Sequence, residues 1–187
     1  CPGAPRPTPG SGGTVAGLKH AKTLGINAME IEWVQSVPQN KEHVAALGKL
    51  AKDLDIALTI HAPYFVNLNS DEPEKLAASE RRIIAALSMG QVCGALSVCV
   101  HAAFNGKKDS ATVTENVRRA TDRILSKKAK LFPNVNLAYE TMGKHAQWGT
   151  LLEVLAISKE FDIYPCVDTA HMHARSNGGM NTEEEWE

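Results

Sequence analysis

VNLAYETMGKHAQWGTLLEVLAISKEFDIYPCVDTAHMHAR, residues 135–175, reads as strand, helix, strand. The first strand, VNLAYE, is mostly apolar and closes on Glu140; the second, IYPCVD, closes on Asp168, with His171 three residues further on. Between them Thr150-x-x-Glu153 has the form of a capping box and opens a helix carrying Leu151, Leu152 and Leu155. A strand, a crossover helix and a second strand in one sheet run parallel, so both acids leave the sheet at the same edge. An ionised carboxylate at the end of an apolar strand is costly unless it is paired or holds a metal. These strand ends therefore read as a site.

Working outward, the same unit recurs. INAMEIEW alternates Met29, Ile31 and Trp33 with Ala28, Glu30 and Glu32, which is strand spacing. IALTIH ends in His61 and LSVCVH in His101. Helical spacing fills the intervals: Leu18, Ala21 and Leu24 with Gly25 as a stop; Val44, Leu47, Leu50, Ala51 and Leu54 behind an Asn40 cap; Leu76, Ile83, Ile84 and Leu87 from about Pro73. Glu80, Arg81 and Arg82 are left mainly to solvent, and a fourth helix on Val113, Val117, Ala120 and Ile124 is capped by Asp109 or Ser110. Thr182-x-x-Glu185 has the form of a further capping box, with a last helix just begun.

Five strands alternating with helices predict a parallel sheet of the α/β class. His61, His101, Glu140 and Asp168 are separated by 40, 39 and 28 residues, one strand and helix each. In a (β/α)8 TIM barrel such ends converge on one face, where sites are built. That barrel needs about 250 residues, so the 187-residue chain is expected to be one incomplete barrel domain, residues 1–187. It would hold about strands 2–6 with their helices, lacking the first strand and the last two. The opening CPGAPRPTPGSGG reads as a loop that lies over the site or leads into the first helix.

An apolar content of 43% and a charged content of 22% are those of an ordinary globular domain. No apolar run approaches the roughly 18–20 residues of a membrane span, and no basic-then-apolar leader is present. The expectation is a monomer in the cytoplasm without a membrane partner. Cys1, Cys93, Cys99 and Cys166 lack C-x-x-C spacing and read as free thiols of a reducing compartment. A net charge of −1 argues against a general nucleic-acid binder that neutralises phosphates with its own side chains. It leaves open one whose positive charge comes from bound metal.

Two imidazoles and two carboxylates are a good ligand set for zinc or a similar divalent ion, with a carboxylate able to bridge two metals. A G-x-S-x-G elbow, a phosphate loop and a dinucleotide fingerprint are all missing. Cys99 and Cys166, inside strands, read as packing, and Glu30 and Glu32 as surface or site-edge acids. His145 and His173 read as solvated loop histidines, with His173 a competitor to His171 as ligand. Arg118, Arg119, Arg123, Lys127, Lys128 and Lys130 read as an exposed helix face.

HAPYFVNL, VCVHAAF, YETMGKHAQWGT and CVDTAHMHAR, in this order and spacing, resemble the endonuclease IV family of apurinic/apyrimidinic endonucleases, most nearly its archaeal-type members, from about residue 13 onward. The wider superfamily holds xylose-isomerase-like sugar isomerases and epimerases. The resemblance implies up to three metal ions, usually zinc with manganese as an alternative, and cleavage of double-stranded DNA on the 5′ side of abasic sites by metal-activated water. It implies His61 and His101 as ligands of a first metal, Glu140 as the catalytic carboxylate bridging first and second, Asp168 on the second and His171 on the third. Tyr64 and Phe65 match the loop that members push into the duplex beside a flipped abasic nucleotide. The family's further ligands, on two later strands, would fall beyond Glu187, and its bacterial DNA-contacting arginine has no match, Val37 standing near that place. The alternatives are a one-metal sugar isomerase or epimerase using His61, Glu140 and Asp168, or an inactive fragment.

Overall fold

The computed structural model describes residues 3–6 and 13–186. Helix α1 (Gly13–Thr23) buries Leu18 and Ala21 and leads into β1 (Ala28–Glu32). Then follow α2 (Lys41–Asp53), β2 (Ala57–His61), α3 (Pro73–Cys93) and β3 (Ser97–Val100). A two-residue strand β4 (Ala103–Phe104) precedes α4 (Ser110–Leu131), β5 (Asn136–Glu140) and a second two-residue strand, β6 (Gln147–Trp148). The last elements are α5 (Leu151–Phe161), β7 (Tyr164–Cys166) and α6 (Thr169–Arg175).

The anticipated caps form. Asn40 accepts from the His43 N–H and Asp109, not Ser110, from the Thr112 N–H. Thr150 and Glu153 close a full capping box. α3 ends at Gly94, whose φ of +69° is the left-handed stop that glycine takes at least cost.

The five longer strands form one sheet in the order β1-β2-β3-β5-β7, every neighbouring pair parallel. This is the α/β, TIM-barrel-like arrangement in which consecutive strands are neighbours and helices cover one face. Alternation along the strands splits the residues into two sets. Met29, Ile31, Leu58, Ile60, Val98, Val100, Leu137 and Tyr139 are buried in the apolar core with the helices. Glu30, Thr59, His61, Cys99, Ala138 and Glu140 occupy the other face. Polarity on that face increases toward the strand ends, where the acids and imidazoles collect.

Three features depart from the expectation. β4 and β6 pair antiparallel, Ala103 with Trp148 and Phe104 with Gln147, and clamp the loop after β3 to the loop after β5. The fully buried Trp148 anchors this ribbon by donating its Nε1–H to Thr114 Oγ1 at 2.9 Å and meeting Tyr139 edge-on at 5.9 Å. Glu80, expected at the surface, is 8% exposed, because Arg123 of α4 reaches over to bond it at 2.8 Å. A charge on the seam between two helices is buried when its partner comes from the neighbouring helix, which spacing along one helix does not reveal. Residues 181–186 form bends and a turn; Glu185 accepts from the Asn181 and Thr182 N–H groups, so the capping contact forms without a helix. Most of the opening Pro/Gly-rich segment, and Cys1, lie outside the described residues.

Candidate metal centre

Four strand ends deliver the site. His61 is the last residue of β2, His101 follows β3 directly, Glu140 is the last residue of β5, and Asp168 caps α6 just beyond β7. His61 and Glu140 are each 6% exposed, so an ion pair between them is shielded from water. His61 Nδ1 lies 2.8 Å from the Ala62 carbonyl, which can only accept; this ring nitrogen therefore carries a proton, which leaves Nε2 to donate in the imidazolium or to offer a lone pair in the neutral ring. That nitrogen faces Glu140 Oε2 at 3.3 Å and His101 Nε2 at 3.3 Å, while His101 Nε2 lies 2.9 Å from the same oxygen.

The other carboxylate oxygen of Glu140 faces a second set. Its Oε1 is 3.1 Å from His171 Nδ1, which also lies 2.9 Å from the Thr141 carbonyl and 3.7 Å from Asp168 Oδ2. Asp168 is held by the N-cap geometry of α6: its Oδ1 accepts from the His171 N–H at 2.7 Å, and its own N–H donates to Thr141 Oγ1 at 2.8 Å. His61, His101 and Glu140 form one group able to hold a metal ion, and Glu140, Asp168 and His171 a second, with ligand atoms in each within 4.8 Å of one another.

Electrostatics sharpen this. Burial alone would raise the Glu140 carboxyl, but hydrogen bonds from His101, His61 and Cys99 hold it far below the usual carboxylate range. Burial pushes the His61 imidazole down, and the bond to Glu140 and the Ala62 carbonyl outweigh it, leaving it above its ordinary value. A buried carboxylate kept ionised by imidazole donors is a charge that a divalent cation would compensate in their place, with the neutral rings then offering their lone pairs to the ion. Nitrogen and carboxylate donors without thiolate suit zinc, manganese and similar ions, so the residues present fit the group that the sequence implies.

Tyr64 also joins the site. Its ring stacks on His101 at 5.1 Å with an interplanar angle of 20° and meets His61 edge-on at 5.0 Å. Phe65, the next residue, is 62% exposed. Glu30 is half-buried on the same concave face, where Thr59 reaches its carboxylate at 3.5 Å, and burial raises its pKa; Glu32 remains exposed. His145 is exposed in a loop, whereas His173 belongs to α6 and bonds the Gly179 carbonyl at 2.8 Å, away from the candidate metal groups.

Two partners were missed by sequence reasoning. Cys99 is more than packing: its thiol donates to Glu140 Oε2 at 3.3 Å, and its pKa is raised well above normal by bonding to Cys166 and by burial. The signal was present, since Cys99 lies two residues before His101 and so on the same side of its strand. Arg175 donates to the carbonyls of Met142, Lys144 and Gln147 at 3.0–3.2 Å, tying α6 to the loop after β5. That contact depends on the tertiary path of the loop, for which the sequence carries no local signal.

Residues 18–187 match the description of the xylose isomerase-like TIM barrel. The uncharacterised protein MJ0133 of Methanocaldococcus jannaschii is 34% identical over 160 residues, 86% of this chain; the chain spans 58% of that relative's length. Among solved structures, D-psicose 3-epimerase superposes with a TM-score of 0.72 at 20% identity, over 87% of this chain and 60% of the other. The 3-keto-D-glucoside 4-epimerase of E. coli gives 0.69 at 14% identity, over 92% and 69%. Endonuclease IV of Thermus thermophilus gives 0.65 at 23% identity, over 92% and 64%. At these identities the structural likeness establishes the fold, which nucleases and sugar epimerases share. The chain belongs to the xylose isomerase-like TIM-barrel family.

Proposed function

We propose that this chain is the metal-holding part of a DNA-repair phosphodiesterase that hydrolyses the backbone on the 5′ side of abasic sites. The observation that carries this reading is the position of Glu140: one carboxylate oxygen faces His61 and His101, the other faces His171 beside Asp168. A carboxylate shared between two ligand groups suits two neighbouring cations, the arrangement used for in-line displacement at phosphate. When bound, the ions would activate the attacking water and neutralise charge on the phosphate and the leaving oxygen.

The residues have distinct tasks in this reading. The Ala62 carbonyl keeps the His61 proton on Nδ1 and presents Nε2 to the first position. Glu140, ionised at every physiological pH, holds both positions. Thr141 and the α6 N-terminus orient Asp168, and Asp168 in turn orients His171. Tyr64, stacked on His101 at the mouth, and the exposed Phe65 beside it present aromatic surface for the bases flanking an extruded nucleotide. The resemblance to endonuclease IV in four separate motifs supports the substrate class.

A sugar isomerase or epimerase acting through one ion is the second reading, favoured by the likeness to D-psicose 3-epimerase. It would use His61, Glu140 and Asp168, drawn from both ligand groups, and leave His101 and His171 without a task as ligands. The test is incubation of the intact protein containing this chain with duplex DNA carrying one abasic analogue. A metal-dependent nick 5′ to the analogue is expected; DNA left uncut in the presence of zinc or manganese overturns the reading.

A further inference from the structure

Beside the metal centre, on the same edge of the sheet, lies a cavity of about 350 Å³ between the loop after β1 and the outer flank of α3. Its polar lining is Gln35, Ser36, Gln39, Arg81 and Arg82, with no acidic residue among the lining side chains. Both arginines are exposed, and among the described residues neither has an ion-pair or side-chain hydrogen-bond partner. The contrast is with Arg118, Arg119 and Arg123, each committed to a glutamate. Ala78 and Ala85 flank the two arginines on the helix and leave room for a strand to approach.

The cavity is joined to the site through the backbone. Trp33 N–H donates to the His61 carbonyl at 3.0 Å, and Tyr64 N–H to the Val34 carbonyl at 3.2 Å, so the Gln35–Ser36 side is fastened to the loop that leaves His61. Pro63, two residues past His61, forms the shared wall. A larger cavity of about 590 Å³ opens near Ala57 and Leu96, where strands begin, and is therefore on the opposite edge from the metal centre.

We infer that Arg81 and Arg82 form an anchor for one or two backbone phosphates of the DNA strand that crosses the metal centre, with Gln35, Ser36 and Gln39 supplying neutral donors. The inference rests on the nuclease reading and supplies what that reading lacks, a cationic contact in a chain of net charge −1 that has Val37 near the place of the bacterial arginine. Charge complementarity commits the cavity to an anionic polymer: unpaired guanidinium groups bind phosphate oxygens strongly and without base preference. Arg81 and Arg82 are positioning residues that set the register of the strand, outside the candidate metal groups.

The test is the affinity of the intact protein for a duplex with one abasic analogue and an uncleavable linkage 5′ to it, measured between about 50 and 200 mM salt. For the Arg81→Ala/Arg82→Ala double variant the slope of log affinity against log salt should become shallower by about 1–2, with KM for nicking raised and kcat kept. Arg81→Lys/Arg82→Lys should restore the slope, and Lys127→Ala/Lys130→Ala on α4 should leave it unchanged. A wild-type protein that nicks abasic DNA while the alanine variant keeps the wild-type slope overturns the anchor alone. A wild-type protein that binds no duplex overturns the anchor together with the nuclease reading.

Discussion

Glu140 is the residue that joins the two ligand groups, and it combines burial with a charge that, among the described residues, is met by imidazole and thiol donors. This has a consequence for the metal-free protein. The raised pKa of His61 means that its imidazolium contributes stability fully below the unfolded value of 6.5, lost as pH rises through the folded value. The depressed pKa of Glu140 means that its carboxylate contributes stability above the unfolded value of 4.5, lost as pH falls through the folded value. In chelator, the melting temperature should therefore fall as pH is raised from about 6 to about 8, and zinc should reverse the fall. A melting temperature that rises over this interval in chelator contradicts the coupling. That His61, His101, Glu140, Asp168 and His171 converge was legible in the sequence, since each closes or follows an apolar run in a repeating unit. For Cys99 only its side of the strand was legible, two residues before His101; a cysteine within such a run has the same appearance whether it packs or bonds a carboxylate.

At the scale of elements, α1 to α5 were legible from caps and spacing, whereas α6, the buried face of α5 on Val154 and Ile157, and the contacts between helices were not. Gly48 of α2 shows why. A Cβ there would collide with the backbone of Cys93 at the end of α3, so α2 and α3 cross at this glycine as closely as two backbones allow. Gly48→Ala should cost about 1–3 kcal/mol, lowering the melting temperature by roughly 2–4 °C per kcal/mol in a chain of this size. Thermal unfolding followed by circular dichroism measures this; an unchanged melting temperature would mean the helices separate freely. The β4–β6 ribbon escaped sequence reading for a related reason. Two-residue strands carry no periodicity, and their pairing joins loops far apart in sequence, Phe104 to Gln147 across 43 residues. The Glu80–Arg123 bond is the same lesson for charge, a pair made across two helices.

At the scale of the molecule, alternation along five parallel strands places aliphatic residues under the helices and polar ones on the concave face. The fold class followed from the sequence because the strand and helix unit repeats, and repetition converts local patterns into a global arrangement. The same arrangement serves hydrolases and isomerases, so the distinction rests on how many cations Glu140 organises. The direct measurement is metal content by mass spectrometry of the intact protein loaded with zinc, with Glu140→Gln in parallel. The account predicts at least two zinc ions per wild-type chain and their joint loss, with activity, in a Glu140→Gln protein whose circular dichroism is unchanged. A single ion per wild-type chain, or a Glu140→Gln variant that keeps the wild-type stoichiometry, would contradict it.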